Sequence, residues 1–320
     1  ASFPWSFVPA DGSIFSDSFN FHATDGKTAS ATVAAQIRMV DPDLGLITRI
    51  SVASDGTQST RDAYLPYPGL GISADGGLVV FCSTANEPAP ADTDNGFADI
   101  FLRDPVSGLT SLLTAQVAAN KHAYRGTLAG DGQSVAYYTE DGTALLLQDL
   151  AGGGRTTIAT VSSYLSNSGP GISHDGTRVV YEKNGKVWVF AAETGISTEA
   201  SVNSQGVAAN ASCGDVAISA NGRVAAFSST ATNLDTANPG GVKSVYLRFL
   251  DLGQTVLISE TQTGELVADA AKPALSETGR NVIFLADDGI SGDGIGKVYV
   301  KNIASGALRL IVDTGANPAI

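Results

Sequence analysis

The chain has 320 residues, of which 43% are hydrophobic and 16% are charged, and it contains 36 glycines. The low charge and the glycine content argue against a helical bundle or coiled coil, and the hydrophobic fraction excludes a disordered chain. No apolar run reaches the roughly 18 residues of a membrane span, and a net charge of −13 disfavours nucleic acid and anionic membranes as partners.

A first sequence phrase recurs six times along the chain. It consists of a short apolar run, Ser or Ala, a turn that ends in Gly, and a second apolar run, as in GISADGGLVVF at 71–81. Asp-Gly or Asn-Gly between alternating apolar runs predicts a hairpin, because the tight turn needs a positive φ angle. The six turn glycines are Gly12, Gly76, Gly132, Gly176, Gly222 and Gly279.

A second phrase follows each copy of the first and predicts another hairpin. Its closing glycines are Gly45, Gly108, Gly153, Gly195, Gly253 and Gly306. Four short strands per unit, repeated six times, predict an all-β fold, a six-bladed β-propeller of four-stranded antiparallel blades. A β-sandwich would explain the alternating strands but not the repetition. We expect a single domain over 1–320, with blades at roughly 1–60, 61–118, 119–163, 164–204, 205–262 and 263–320.

The repeat resembles the TolB-type propeller repeat of bacterial secreted and periplasmic proteins, a WD-like family. Residues 50–113 carry the best match, which includes ISVASDGTQ and ADIFLRD, and residues 200–234 carry the next. The resemblance implies the propeller fold and a secreted, cell-surface or periplasmic location. It brings no fixed catalytic motif, because such repeats occur in binding modules, scaffolds and a few enzymes.

Propeller topology sorts the loops onto two faces. The long-loop face carries the middle hairpin loop of each blade and the connections between blades, and the short-turn face carries the glycine turns. Functional residues favour long loops on a rigid scaffold. Segments 53–68 and 121–126 bring polar and aromatic residues to the long-loop face, namely Arg61, Asp62, Tyr64, Tyr67, Lys121, His122, Tyr124 and Arg125.

Two functions fit this face. The favoured one is a non-catalytic binding or scaffold propeller that recognises a protein or a glycan, without nucleic acid and without membrane insertion. The alternative is a polysaccharide lyase or hydrolase. His122, Tyr124 and Arg125 have the chemistry of a general base, a general acid and a carboxylate-neutralising group, which β-elimination on an acidic polysaccharide requires. A solvated loop whose Tyr packs on the next blade explains the same residues more simply.

The insertion DTDNGFAD in the second unit is the one candidate metal site. Asp92, Asp94 and Asp99 supply hard oxygen ligands of the kind that Ca²⁺ prefers, and no other cofactor is expected. An Asx-rich turn explains the same residues. Cys82 and Cys213 fall on opposite blades, so we expect two separate buried thiols rather than a disulfide.

The end of the chain repeats an inner-strand phrase. GANPAI at 315–320 resembles AKPALS at 271–276, so the sequence holds seven candidate inner strands for six blades. Pairing of this strand within the chain would close the ring, and we favour that interpretation. Donation of a terminal strand to a neighbouring molecule would instead give self-association.

Overall fold

The computed structural model describes residues 49–58, 71–85, 97–115, 121–139, 144–160, 169–286 and 297–312. Within these ranges twenty strands form five four-stranded antiparallel sheets. In every sheet the strands pair in chain order, because each strand is joined to the next by a hairpin. No helix in the described ranges is long and apolar enough to cross a membrane.

Each sheet is one blade, numbered here after its sequence unit. Blade 2 contains β1 (Gly71–Ile72), β2 (Val79–Ser83), β3 (Asp99–Asp104) and β4 (Leu109–Leu112). Blade 3 contains β5 (Tyr124–Leu128), β6 (Ser134–Thr139), β7 (Ala144–Asp149) and β8 (Arg155–Thr160). Blade 4 contains β9 (Gly171–Ile172), β10 (Arg178–Lys183), β11 (Lys186–Ala191) and β12 (Ile196–Glu199). Blade 5 contains β13 (Cys213–Ile218), β14 (Val224–Ser229), β15 (Ser244–Phe249) and β16 (Gln254–Leu257). Blade 6 contains β17 (Ala271–Leu275), β18 (Asn281–Ala286), β19 (Lys297–Asn302) and β20 (Leu308–Val312).

The predicted turn glycines close the hairpins of all five blades. All ten that the structure describes have φ between 63° and 75°, a region that glycine reaches without steric cost. They are Gly76, Gly108, Gly132, Gly153, Gly176, Gly195, Gly222, Gly253, Gly279 and Gly306. The hairpin prediction is confirmed at these positions. Gly12 and Gly45 lie outside the described residues.

Backbone hydrogen bonds join the first turns of successive blades on the short-turn face. An N–H group in one turn donates to a carbonyl in the turn of the next blade. The four bonds run from Ala74 to Gly130 (2.8 Å), Asp131 to His174 (2.8 Å), His174 to Ala220 (2.7 Å) and Asn221 to Glu277 (3.1 Å). This belt fixes the order of the five blades around the axis, and the first strands of neighbouring blades contact each other there.

The core lies between the blades. All six residues of β14 are buried, because blades 4 and 6 cover the two faces of blade 5. Val80, Leu128 and Tyr137 belong to one buried cluster that joins blades 2 and 3. Each such side chain contributes about 1.5–3 kcal/mol by leaving water. Cys82 and Cys213 are buried, separate thiols, as predicted, and burial raises the pKa of Cys82 to about 12.

Blade 6 has one face that the described residues leave uncovered. Four positions after the first turn glycine, Val80, Ala136, Val180 and Ala226 are all 0% exposed, whereas Ile283 is 43% exposed. In blades 2 to 5 the next blade covers this position. The unit that would follow blade 6 around the ring is the first, and residues 1–48 lie outside the described ranges. The structure therefore shows a propeller with five described blades, and the count of six stays a prediction.

Side chains from the connecting segments protect two outer edge strands. The Ser54 hydroxyl accepts from the Thr110 N–H (2.9 Å) and donates to the Thr110 carbonyl (3.3 Å). Ser204 makes the same pair of bonds to Thr255, at 3.0 and 3.1 Å. These hydroxyls occupy backbone groups that an unpaired edge would otherwise offer to another chain.

Candidate functional site

The structure describes four of the eight residues expected on the long-loop face. Lys121, His122, Tyr124 and Arg125 lead into and open β5, whereas Arg61, Asp62, Tyr64 and Tyr67 lie outside the described residues. Asp92 and Asp94 of the predicted metal site also lie outside them.

His122 connects two blades. Its Nδ1 accepts a hydrogen bond from the Ala98 N–H at 2.8 Å, and its ring centroid lies 4.9 Å from that of Phe97. The backbone of Ala123 donates to the Ala98 carbonyl at 2.7 Å. Because an accepting nitrogen carries no proton, the neutral ring holds its proton on Nε2. His122 therefore ties the start of blade 3 to the loop of blade 2.

The other two members of the predicted catalytic group are buried. Tyr124 and Arg125 are each 4% exposed, and Tyr124 packs in a core cluster with Tyr138 and Cys82. His122 is half-buried. The structure therefore places these three side chains next to one another along the chain but does not expose them as one group.

Three inner strands share a β-bulge. In each, two residues lie opposite one fully buried aromatic residue of the second strand, where regular pairing would place one. The pairs are Arg125–Gly126 opposite Tyr137, Asp215–Val216 opposite Phe227, and Lys272–Pro273 opposite Phe284. Each inner strand runs from a connection on the long-loop face to a turn on the short-turn face, so the bulges lie at the long-loop end of the axis.

The first residue of each bulge is charged and has a strained backbone. The φ angles are 58° at Arg125, 50° at Asp215 and 50° at Lys272. This left-handed region costs an L-residue about 1–2 kcal/mol. Each of the three lies four positions before the first residue of its blade's first turn. At the equivalent position blade 4 has Gly169. A Cβ at Gly169 would lie 3.4 Å from the Cβ of Arg125, so neighbouring blades bring these positions side by side.

Two further charged residues surround the bulges. Lys243 Nζ lies 3.2 Å from Asp215 Oδ2, and the Ser228 hydroxyl donates to the same oxygen at 2.7 Å. A Cβ at Gly214 would lie 3.2 Å from Glu182 Oε2, which places that carboxylate beside the bulge of β13. We call Arg125, Glu182, Asp215, Lys243 and Lys272 the mouth cluster.

Two members of the mouth cluster, Glu182 and Arg125, act electrostatically on the buried Tyr138. Burial raises the pKa of the Tyr138 hydroxyl, the Glu182 carboxylate raises it further, and Arg125 lowers it. Both charged groups are therefore close enough to Tyr138 to act on it. The sequence analysis did not single out Asp215 or Lys272 as functional residues. The signal that could have found them is a charged residue four positions before the first turn, which blades 3, 5 and 6 share.

The predicted calcium loop is only partly described. Asp99 opens β3, is 4% exposed and accepts a hydrogen bond from the Thr114 hydroxyl. In the corresponding loop of blade 5, Asp235 accepts from the Ala237 N–H (3.0 Å) and Asn238 from the Val242 N–H (3.0 Å). Within the described ranges no group of three or more His, Cys, Asp or Glu side chains is placed to hold a metal ion.

The comparisons with known proteins support the architecture. No family model matches the chain, and no curated protein sequence matches it as a relative. Among solved structures, the propeller domain of the trilobed protease from Pyrococcus furiosus is 12% identical to this chain. It has a TM-score of 0.50 and covers 78% of this chain and 72% of that one. The chain is a β-propeller.

Two other similar structures are of longer proteins. Dipeptidyl peptidase 4 from Porphyromonas gingivalis is 13% identical, with a TM-score of 0.50 over 78% of this chain and 40% of that one. TolB from Acinetobacter baumannii is 16% identical, with a TM-score of 0.44 over 68% of this chain. The present chain spans 49% of that TolB chain. Identities this low show the fold alone, and the trilobed-protease propeller confirms the propeller fold that the resemblance of the repeat implies.

Proposed function

We propose that this propeller is a non-catalytic binding module of the cell envelope or the extracellular space, which recognises a protein or a glycan through its long-loop face. The observation that carries the proposal is the recurrence of strained, charged residues at the long-loop end of three inner strands. Strained backbone persists only where the surrounding structure enforces it, and it is frequent at ligand clamps. Arg125, Asp215 and Lys272 adopt it at equivalent positions of different blades.

The loops of blade 5 on the long-loop face also favour a binding function, because hydrogen bonds between them order these loops without a ligand. Asn233 donates to the Ala208 carbonyl (2.8 Å), and its own carbonyl group accepts from the Asn210 N–H (2.9 Å) through Oδ1. Asn210 also bonds the Thr232 hydroxyl and N–H, at 2.7 and 2.9 Å. Loops that are already ordered lose little entropy on binding, which favours affinity.

The test compares matched substitutions on the two faces of blade 5. Thr236 is exposed in the long loop, and Leu252 is exposed in a glycine turn on the short-turn face. Wild type, Thr236→Trp and Leu252→Trp are applied to a glycan array and to an immobilised cell-envelope protein fraction. We expect Thr236→Trp to weaken the wild-type interaction and Leu252→Trp to preserve it. Equal binding by both variants, or loss with Leu252→Trp alone, contradicts the proposal.

A further inference from the structure

The outer strand of blade 6 differs in composition from the other outer strands that the structure describes. In blades 2 to 5 each of these strands contains Ser or Thr, whereas β20 consists of branched apolar residues around one arginine. The sequences are LTSL in β4, RTTIAT in β8, ISTE in β12, QTVL in β16 and LRLIV in β20. Blade 6 therefore has an apolar strand at its rim, where the other described blades have hydroxyl groups.

The hydroxyl contacts that protect the outer edges of blades 2 and 5 have no counterpart in the sequence of blade 6. Ser204 binds the backbone N–H and carbonyl of Thr255 in blade 5, and Thr255 lies opposite Arg248. In blade 6, Leu308 lies opposite Lys301 and so takes the place of Thr255. Leu308 has no hydroxyl group with which to bind a connecting segment.

The connecting segment of blade 6 lacks the matching serine. Three connecting segments form the same short hairpin before their blade, closed by the bridges Val52–Gln58, Val202–Ala208 and Glu260–Leu266. The first two have a serine two positions after the first bridge residue, and the third has Gln262 there. Lys301 holds this third hairpin by donating to the Glu260 carbonyl at 2.9 Å. The segment thus contacts blade 6 as its counterparts contact theirs, but without the hydroxyl that occupies the strand edge.

The edge of β20 is directed away from the ring. Neighbouring blades cover the faces of a sheet, whereas alternate residues of its outer strand point their N–H and carbonyl groups outward. Leu308 belongs to this outward row because Thr255, its equivalent, offers these groups to Ser204. Leu310, two residues further along, belongs to it as well. Outward backbone groups on an apolar strand are a template for a further strand.

We propose that β20 pairs with β20 of a second copy of this chain, which joins two four-stranded sheets in a two-fold symmetric dimer. Antiparallel pairing centred on Leu310 places it opposite the partner's Leu310, with Arg309 opposite the partner's Ile311. Leu308 then lies opposite the partner's Val312. No arginine faces an arginine, and like charges directly opposite each other are what destabilises such a pair.

This self-complementarity favours a second copy over an unrelated strand as the occupant of the edge. The apolar stem of each arginine packs on the isoleucine of the other copy. The contact uses the same edge on both molecules, so assembly stops at the dimer. It lies at the rim of blade 6 and leaves the long-loop face accessible to a ligand.

Sedimentation over a range of protein concentrations tests the dimer with variants of the full chain. Gln262→Ser/Leu308→Thr gives blade 6 the residue pair that protects the edges of blades 2 and 5. Leu310→Lys places two like charges opposite each other at the centre of the contact. Val256→Lys introduces the same charge on the outer strand of blade 5, whose edge Ser204 occupies, and is the control. Thermal unfolding of the same samples shows that each variant is folded.

Oxidative cross-linking tests the register. Leu310→Cys should form an intermolecular disulfide under mild oxidation, because centred pairing brings the two Cα atoms to about 5.5 Å, within the range that a disulfide spans. Val256→Cys, on the protected edge, should remain monomeric. The native thiols of Cys82 and Cys213 are 4% and 3% exposed, so they contribute little background.

We expect wild type and Val256→Lys to dimerise with the same dissociation constant. Gln262→Ser/Leu308→Thr and Leu310→Lys should raise that constant at least about tenfold, because one occupies the edge and the other adds repulsion across it. A wild type that stays monomeric at all concentrations, or a dimer that either variant leaves intact, overturns the inference.

Two further outcomes also contradict it. A dimer that is lost on deletion of residues 315–320 and unaffected by Leu310→Lys assigns self-association to the end of the chain. Equal cross-linking of Leu310→Cys and Val256→Cys contradicts the register and with it the pairing of β20. Neither outcome affects the proposed binding function, which is measured on the long-loop face.

Discussion

His122 has two competing interpretations, as a catalytic base and as a structural contact between two blades. Its place beside Tyr124 and Arg125 in the sequence makes it a candidate base of a lyase, and in the structure its Nδ1 accepts a hydrogen bond from the Ala98 N–H. This hydrogen bond supports a structural role for the ring and does not test a catalytic one. The lyase therefore stays an alternative that an activity measurement decides.

For His122→Ala we expect a loss of about 1–2 kcal/mol in the free energy of unfolding, because the Ala98 N–H loses its acceptor. The binding function further predicts that wild type forms no unsaturated product from polygalacturonate, as followed by ultraviolet absorbance. His174→Ala, on the short-turn face, is the control. Product formation that His122→Ala abolishes and His174→Ala preserves would favour the lyase.

Also at the residue scale, the first turns contain acid-sensitive hydrogen bonds. The Asp75 carboxylate accepts from the Ser73 hydroxyl (2.6 Å) and the Gly77 N–H (2.9 Å), and these two bonds lower its pKa. In blade 5, Asn221 accepts from the Ser219 hydroxyl at 2.7 Å in the same way without a titratable group. The same turn therefore forms in blade 5 with a neutral residue, Asn221, in place of the aspartate.

The variant Asp75→Asn tests the contribution of that charge to stability. A carboxyl whose folded pKa is lowered stabilises the fold above its unfolded pKa, and this contribution disappears as pH falls through the folded pKa, below about pH 4. We expect Tm to match wild type near neutral pH and to fall less steeply in acid. If Tm falls equally steeply with decreasing pH in wild type and in Asp75→Asn, the charge of this carboxylate contributes nothing to the stability of the fold.

At the scale of the element, the outer strands are protected by hydroxyls from connecting segments. Arg248 reinforces the contact in blade 5 by donating to the Asn203 carbonyl (3.2 Å) and to the Gly253 carbonyl (2.7 Å), and burial lowers its pKa. Arg103 makes the corresponding bonds in blade 2. The same Ser, Thr and Arg set thus fastens a connecting segment to the edge of two blades.

Removing one hydroxyl tests this edge contact. Ser204→Ala leaves the Thr255 N–H and carbonyl without their partner, so we expect a loss of about 1–2 kcal/mol in unfolding free energy from chemical denaturation. Because the strand edge is then open, the variant should also associate more at high concentration on light scattering. Thr278→Ala, an exposed turn residue, should change neither quantity. A Ser204→Ala protein indistinguishable from that control contradicts the edge role.

Calcium binding by the long loop of blade 2 stays a prediction, and it is also tested at the scale of the element. If Asp92, Asp94 and Asp99 bind Ca²⁺, Tm should be higher in calcium than in chelator, because a ligand that binds only the folded state stabilises it. Asp92→Asn/Asp94→Asn should remove the difference. Identical melting curves for wild type in calcium and in chelator would favour the Asx-rich turn, which is how Asp235 and Asn238 are used in blade 5.

At the scale of the whole molecule, the uncovered face of blade 6 provides a test of the blade count. A ring of six predicts that the first unit covers Ile283, as neighbouring blades cover Val180 and its counterparts. Under that prediction Ile283→Asp should lower unfolding free energy by several kcal/mol, because it places a charge in an interface between blades.

Two reference variants calibrate the measurement. Val180→Asp, at a position with 0% exposure, sets the value for a covered site, and Val256→Asp, on an outer strand with 37% exposure, sets the value for a surface site. An Ile283→Asp protein as stable as Val256→Asp would contradict the six-bladed ring. Closure by residues 315–320, or their donation to another molecule, lies outside the described residues and stays a prediction.

The sequence by itself determined the hairpins, because a positive φ at a tight turn is a local requirement that glycine meets and that recurs at fixed spacing. Gly76, Gly176 and Gly222 could therefore be placed without coordinates, and with them the repeated blade. Only the tertiary structure decided what the polar residues do. His122 meets Ala98, and Asp215 meets Lys243, across 24 and 28 positions of the chain. Such contacts depend on how blades pack, and packing is not encoded in the spacing of neighbouring residues.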